Sequence, residues 1–286
     1  MRFSRFLVLA ALLAAPFVSL SGAAENHILV HGHRGARARR PENTIPAFKY
    51  AISEGVDALE LDLAVTKDNV LVVSHDPMIN DKICSGGPTG VAIHTLTLAE
   101  VKKYDCGSKR NPLFSTQIPV PGTTIPTFDE VLDLAPLGNF DFNVETKISP
   151  SRPELTPSPE EFVQLMLVSI RKHNVAKRII LQSFDFRTLH AMKALEPEIR
   201  LSALYSGKPK DFVAIAKESG AGIISPEQHL VTPEQVSAAH ADHLEVVPWT
   251  ADTPAEWDKL IAAHVDAIIS DDPAALLHYL KSRGLH

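Results

Sequence analysis

Cysteine is almost missing from this 286-residue sequence: Cys84 and Cys106 are the only two, both in a polar stretch rich in glycine and proline. That scarcity leaves no material for a thiolate metal centre. It leaves one disulfide, expected between these two residues if the chain matures in an oxidising compartment, where closing a loop of that size would add about 3 kcal/mol on the chain-entropy model. Positive charge is the scarcer sign, with 28 Lys and Arg against 34 Asp and Glu, a net charge of −6. The imbalance argues against a nucleic-acid groove or an anionic membrane surface as the main partner, so an anionic substrate must be met by locally placed cations or a metal. No Gly-rich dinucleotide fingerprint, tandem repeat or low-complexity tract is evident, which weakens a doubly wound open sheet as the architecture. Core material is not lacking. With 45% hydrophobic and 22% charged residues, wholesale disorder is excluded.

Long apolar runs are also absent, apart from one at the start. Arg2 and Arg5 precede Phe6 to Leu20, apolar but for Ser19, and Ser21-Gly22-Ala23-Ala24 offers small residues for cleavage. This is the pattern of an export signal over residues 1–24. The run is short for crossing a bilayer, no cysteine follows it to accept a lipid, and no amphipathic anchor or aromatic run comes later. The expected mature chain, 25–286, carries 26 basic and 34 acidic residues, is periplasmic or secreted, and has no stable membrane anchor.

Periodicity supplies the fold. Ile28-Leu29-Val30 reads as a buried strand, and a helix opens at Pro41-Glu42-Asn43-Thr44 with Gly55 as its C-cap. In that reading Glu42 favours the first helical turn through the helix dipole. Residues 58–63 alternate apolar and acidic; 70–73 returns as a hairpin strand on the rim. Regularity then fades from about 76 to 125, apart from a helix near 98–104, and the stretch reads as an insertion covering a site. A helix at 127–134 precedes strands at 140–145, 178–182, 200–204, 222–225, 245–249 and 267–270, alternating with helices near 159–173, 186–195, 209–218, 233–240, 254–263 and 273–282. Eight βα repeats point to an α/β fold of the TIM (β/α)8 barrel type, one domain with an insertion after its second barrel strand.

In such barrels the chemistry gathers at the carboxyl ends of the strands. His33 and Arg34 follow the first, Glu60 and Asp62 end the second, Glu145 and Lys147 the third, Gln182 and Ser183 the fourth, and Trp249 the seventh. Period-two spacing turns Glu60 and Asp62 into the interior together. With Glu145 they form a three-carboxylate donor set suited to a hard divalent cation, Ca²⁺ or Mg²⁺. His33 and His75 fit a general acid and base, since imidazole titrates near neutrality; Arg34 and Lys147 fit contacts to developing negative charge. His31 reads as a supporting residue, and Trp249 as either core or an apolar wall for a small carbon chain.

Six short strings carry a resemblance: HRG at 33–35, PENT at 41–44, ELD at 60–62, VVSHD at 72–76, VETK at 144–147 and PWT at 248–250. In this order, over essentially the whole mature chain, they resemble the glycerophosphodiester phosphodiesterase family. The resemblance implies a TIM barrel with an insertion after the second strand and metal-dependent hydrolysis of glycerophosphodiesters, deacylated phospholipids, to glycerol 3-phosphate and an alcohol. It implies Glu60, Asp62 and Glu145 as metal ligands, His33 and His75 as the acid/base pair, and Arg34 and Lys147 as phosphate contacts. A glycerol hydroxyl would attack phosphorus, and water would open the resulting cyclic phosphate. The proline of PWT departs from many relatives and bears on the headgroup side of the pocket. Two rivals are a phospholipase D-like enzyme acting on intact lipid and a non-catalytic periplasmic binding protein, which would leave the histidines without a task.

Overall fold

The first barrel strand, β1 (Leu29–Gly32), pairs in parallel with both its sequence neighbour β2 (Ala58–Val65) and the last strand β9 (Ala267–Ser270). That double pairing joins the beginning of the barrel to its end. The computed structural model describes residues 27–286; the export signal expected at 1–24 lies outside the described residues. Continuing round the sheet from β2 come β4 (Asp141–Thr146), β5 (Ile179–Ser183), β6 (Arg200–Tyr205), β7 (Ile223–Pro226) and β8 (Glu245–Val246), all parallel. Three backbone hydrogen bonds close the ring between the segment continuing from β8 and the last stave: Asp266 N to Val246 O (3.1 Å), Ile269 N to Pro248 O (3.0 Å) and Ala251 N to Ile269 O (3.2 Å). The expected strand at 245–249 is regular only to Val246. Pro248 has no N–H to give, although Val247 and Trp249 still donate to β7. The short β3 (Leu71–Val73) lies antiparallel on β2, as the rim hairpin expected at 70–73.

Helices α1 (Ile45–Glu54), α4 (Pro159–His173), α5 (Phe186–Leu195), α6 (Phe212–Ser219), α7 (Pro233–Ala241), α8 (Pro254–Ala262) and α9 (Pro273–Lys281) cover the outside, with the short α3 (Phe128–Leu132) before β4. Capping residues set their starts: Ser158 and Thr253 form capping boxes with Glu161 and Glu256, and Thr44 caps α1. The N-terminus of α1 therefore differs from the expectation. Residues 41–44 form a turn with Asn43 in the left-handed region (φ 56°), so Glu42 lies outside the helix and bends back into the protein.

Every residue of β2 is buried. Leu59, Leu61 and Leu63 join the large core between sheet and helices, while Ile180, Ile223, Val247, Ala267 and Ile269 form a separate small cluster. Glu60 and Asp62, one residue out of phase with those leucines, face the barrel axis.

Between β3 and α3 the insertion forms a small lobe. Its own core contains Ile79, Ile93, Val101, Tyr104 and Ile125 and is crossed by a Cys84–Cys106 disulfide. The expected helix at 98–104 contracts to α2 (Leu98–Val101). The lobe is fastened to the β1–α1 loop: Gln117 Nε2 donates to Arg37 O (2.7 Å) and Arg40 O (3.1 Å), and Ile118 N donates to Arg39 O (3.0 Å). At the opposite pole the first and last described segments meet, with Ile28 N donating to Leu285 O (2.9 Å) and His286 Nε2 lying 2.9 Å from Asp57 Oδ2.

Candidate active site

Two glycines shape the turn after β1. A Cβ on Gly32 would lie 2.1 Å from Gly35 O, and one on Gly35, at φ +85°, 2.8 Å from the backbone of Ala47. Neither position accepts a side chain. The tight turn, with Arg34 itself left-handed (φ 48°), brings the loop over β2: Gly35 N donates to Glu60 O (3.2 Å) and Arg34 N to Glu60 Oε2 (2.8 Å).

One carboxylate oxygen each from Glu60, Asp62 and Glu145 lies within 4.8 Å of the others, and all three residues are buried. Gln182 Nε2 donates to Glu60 Oε1 (2.8 Å) and Asn43 Nδ2 to Asp62 Oδ2 (2.8 Å). Lys147 Nζ sits 2.8 Å from Glu145 and 3.2 Å from Asp62 Oδ1; the latter oxygen accepts no hydrogen bond of good geometry. Burial, then the neighbouring Asp62 charge, pushes the Glu60 carboxyl well above its usual range. Burial also raises Glu145 despite Lys147. For Asp62 burial is outweighed by Lys147 and Arg34, which hold it well below that range. Three converging carboxylates, one with a buried oxygen that accepts no hydrogen bond of good geometry and two whose ionisation is opposed by burial, fit a hard divalent cation.

Of the expected phosphate contacts, both have their cationic ends engaged with acids. Arg34 Nη1 donates to Glu42 Oε1 (2.7 Å) and its Nε lies 3.4 Å from Asp62. Lys147 keeps its proton although burial opposes the charge, because Asp62 and Glu145 outweigh it. His33 Nδ1 is hydrogen-bonded to Asp271 Oδ1, leaving Nε2 facing Glu60 Oε2 at 3.9 Å. His75, more exposed and paired through Nδ1 with Asp76 (3.0 Å), is near enough to influence the charges of Asp62 and Glu145. Trp249 is half-buried over the inner-barrel cluster; its indole N–H donates to Ser225 O (2.9 Å), and its ring meets Phe184 edge-on at 5.6 Å. His31 is buried lower in the barrel against Asn143 and is held neutral by desolvation, its pKa lowered to about 4.

The assignment of Glu42 to a helical first turn is corrected by its surroundings. It is 8% exposed and binds Arg34, Arg37 (3.0 Å) and Asn111 Nδ2 (3.0 Å), so it anchors two arginines and the insertion. Asp271 and Arg37 also escaped the sequence reading, which quoted Asn43 only within PENT and gave it no task. Asp271 follows β9, and the strand-end rule applied to the eighth stave would have found it; Arg37 and Asn43 lie in a loop with no periodicity to mark them.

The model of the glycerophosphoryl diester phosphodiesterase family matches residues 33–275, nearly the whole described chain. The chain belongs to that family. A glycerophosphodiester phosphodiesterase of Caldanaerobacter subterraneus subsp. tengcongensis is 34% identical over 256 residues, covering 90% of this chain and 99% of its own. One from Bacillus altitudinis is 30% identical, covering 85% and 94%. Among solved structures, a Silicibacter pomeroyi DSS-3 protein named for the same activity superposes with a TM-score of 0.85 at 28% identity, covering 91% and 95%. An Oleispira antarctica phosphodiesterase, solved with the product sn-glycerol-3-phosphate, shares the fold at a TM-score of 0.75 and 24% identity, covering 88% and 96%. As a family member, this glycerophosphodiester phosphodiesterase is a phosphoric diester hydrolase on a parallel barrel.

Proposed function

We propose that this family member hydrolyses glycerophosphodiesters to sn-glycerol 3-phosphate and an alcohol at the mouth of the barrel, with Glu60, Asp62 and Glu145 holding a divalent cation and His33 and His75 moving the protons. The observation that carries this is the convergence of the three buried carboxylates within 4.8 Å, with His33 on the β1 side and His75 on the insertion side. Bound there, Ca²⁺ or Mg²⁺ would polarise a phosphoryl oxygen and neutralise the acids. Asp271 fixes the His33 ring so that Nε2 faces the site, and Nε2 takes the proton from the attacking glycerol hydroxyl. His75 gives a proton to the departing alcohol. Arg34 and Lys147, oriented by Glu42 and Glu145, meet the charge gathering on phosphorus oxygens. Water completes the hydrolysis. The Oleispira relative's bound product supports glycerol 3-phosphate as the product of this chain as well.

We place the mature protein, 25–286, in the periplasm or medium. The amino-terminal sequence pattern and the Cys84–Cys106 disulfide both support an oxidising compartment. Glycerol 3-phosphate release from glycerophosphocholine, followed by a coupled assay with and without chelator, tests the scheme. H33A and H75A are each expected to lose roughly 10²–10⁴-fold in kcat, and E60A the divalent-dependent activity altogether. Full activity in any of the three would overturn its assigned role.

A further inference from the structure

The insertion shows solvent an apolar surface that its own core does not use. Leu113 is 77% exposed and Ile118 57%, and neither belongs to the lobe core or to the two apolar clusters of the barrel. Leu113 is more exposed than any other large apolar side chain among the described residues. Single exposed leucines are ordinary on protein surfaces; two aliphatic side chains on one short, fixed loop are not. The loop is closed by Asn111 N donating to Gln117 Oε1 (2.7 Å), and it is tied to the β1–α1 loop by Thr116 Oγ1 donating to Ala38 O (3.0 Å). Pro112 and Pro119 stiffen it further. The backbone therefore presents both side chains outward in set positions. The charge around them runs against that of the molecule. The chain has 34 acidic residues, yet none falls in 106–128, and the β1–α1 loop behind that stretch has four arginines and no acid in 32–41. Of those arginines, Arg34 and Arg37 are bound by Glu42, and Arg39 by Asp272. Arg40 is not so spent: its Nη1 and Ile118 N donate to the same carbonyl, Arg39 O (2.9 and 3.0 Å). Arg110 Nη1 donates to Ser115 O (3.1 Å), between the two aliphatic residues in sequence. Among the described residues neither Arg40 nor Arg110 has a carboxylate partner, so two uncompensated cations flank two bare aliphatic side chains.

We propose that this loop is a docking surface for an anionic phospholipid bilayer, with Leu113 and Ile118 entering the interface and Arg40 and Arg110 meeting the lipid phosphates. Aliphatic groups beside basic ones are what lies stably at the headgroup boundary. A polyanion without hydrocarbon would engage the arginines and leave Leu113 and Ile118 in water. The remainder of the chain is net acidic, so an anionic membrane repels the molecule in other orientations and receives it loop first. The contact is peripheral and reversible, in keeping with a mature chain that has no anchor. It also sets an orientation. The Arg37 guanidinium lies 5.0 Å from the Phe114 ring centroid and 3.9 Å from Asp271, so the loop is joined to the rim of the active site and docking holds the barrel mouth beside the bilayer.

The test is cosedimentation of the mature chain with two kinds of vesicle at low ionic strength, phosphatidylcholine alone and phosphatidylcholine with about a third phosphatidylglycerol. It reads binding and does not depend on the catalytic scheme. Partition onto the anionic vesicles should be about thirtyfold stronger, about fivefold for each arginine, and should fall towards the neutral value as salt is added. R40Q/R110Q should bind both compositions alike. L113S/I118S should keep its Tm, since neither side chain is in a core, and lose about tenfold in partition onto the anionic vesicles. L113W should gain fluorescence quenching by bilayers of brominated acyl chains beyond that of the native tryptophans. Equal wild-type partition onto both vesicles would overturn the proposal, and so would an absence of added quenching in L113W. Undiminished binding of L113S/I118S would overturn it in favour of a polyanion held by the arginines alone. A wild type that is dimeric without vesicles and an L113S/I118S variant that is monomeric would overturn it in favour of a second copy of this chain.

Discussion

Asp252 belongs to neither the acid cluster nor the histidine pair, yet it supports His33 through Asp271. Its Oδ1 accepts from Asp271 N (2.7 Å) and Ser270 Oγ (2.9 Å), holding the turn that presents Asp271 to His33. Burial, with the Asp271 charge adding to it, pushes Asp252 from 3.8 up to about 7. A carboxyl raised on folding keeps its proton in the native state while the unfolded chain gives it up. Stability from this group is therefore full below pH 3.8, declines as pH rises towards about 7, and changes no further above that. D252N keeps an oxygen for both hydrogen bonds and cannot titrate. Its Tm relative to wild type should rise between pH 4 and pH 8; a difference independent of pH would mean that Asp252 is ionised throughout. At this scale the sequence was legible wherever strand periodicity governs. Glu60 and Asp62 announce themselves by alternation with leucines, and Glu145 and Lys147 by position at the end of β4. The pairing of His33 with Asp271 joins residues 238 apart, and no local signal encodes it. Glu42 was misread because a left-handed Asn43, not a helical turn, decides where it points.

Among the elements, the insertion departs most from what periodicity could reveal. Its single regular helix is four residues long, its core is small, and it is held by loop hydrogen bonds and one crosslink. Cys84 and Cys106 are separated by 22 residues, and the chain-entropy cost of releasing such a loop is about 3 kcal/mol. Replacing both by serine should lower stability by roughly that amount in urea melts. Because Asn111 carries the lobe's grip on Glu42, and Glu42 carries Arg34 and Arg37, kcat/KM should fall in the same variant at urea concentrations that leave the barrel's circular dichroism intact. Loss of activity only together with the barrel signal would show that lobe and barrel unfold as one. The barrel's strands and outer helices were legible because each repeats the same apolar rhythm. Their boundaries shifted where a special backbone intervened, at the 41–44 turn and at Pro248.

For the molecule as a whole, folding gathers acids that repel one another, and a cation binding the native state alone must stabilise it. At a hundredfold excess over Kd the gain is about 2.7 kcal/mol. Calcium or magnesium should raise the Tm of the chelator-treated protein. E145Q, which removes one of the three charges, should shrink that rise while raising the Tm of the metal-free form; an equal rise in both proteins would place the ion elsewhere. The same global view gives meaning to the hydrogen bond from Ile28 to Leu285. The segment entering β1 and the segment leaving α9 are moored side by side at the pole opposite the acids, so a tether joined there leaves the barrel on the side away from its mouth. A surface coated with enzyme by such a tether would turn every mouth towards the solution.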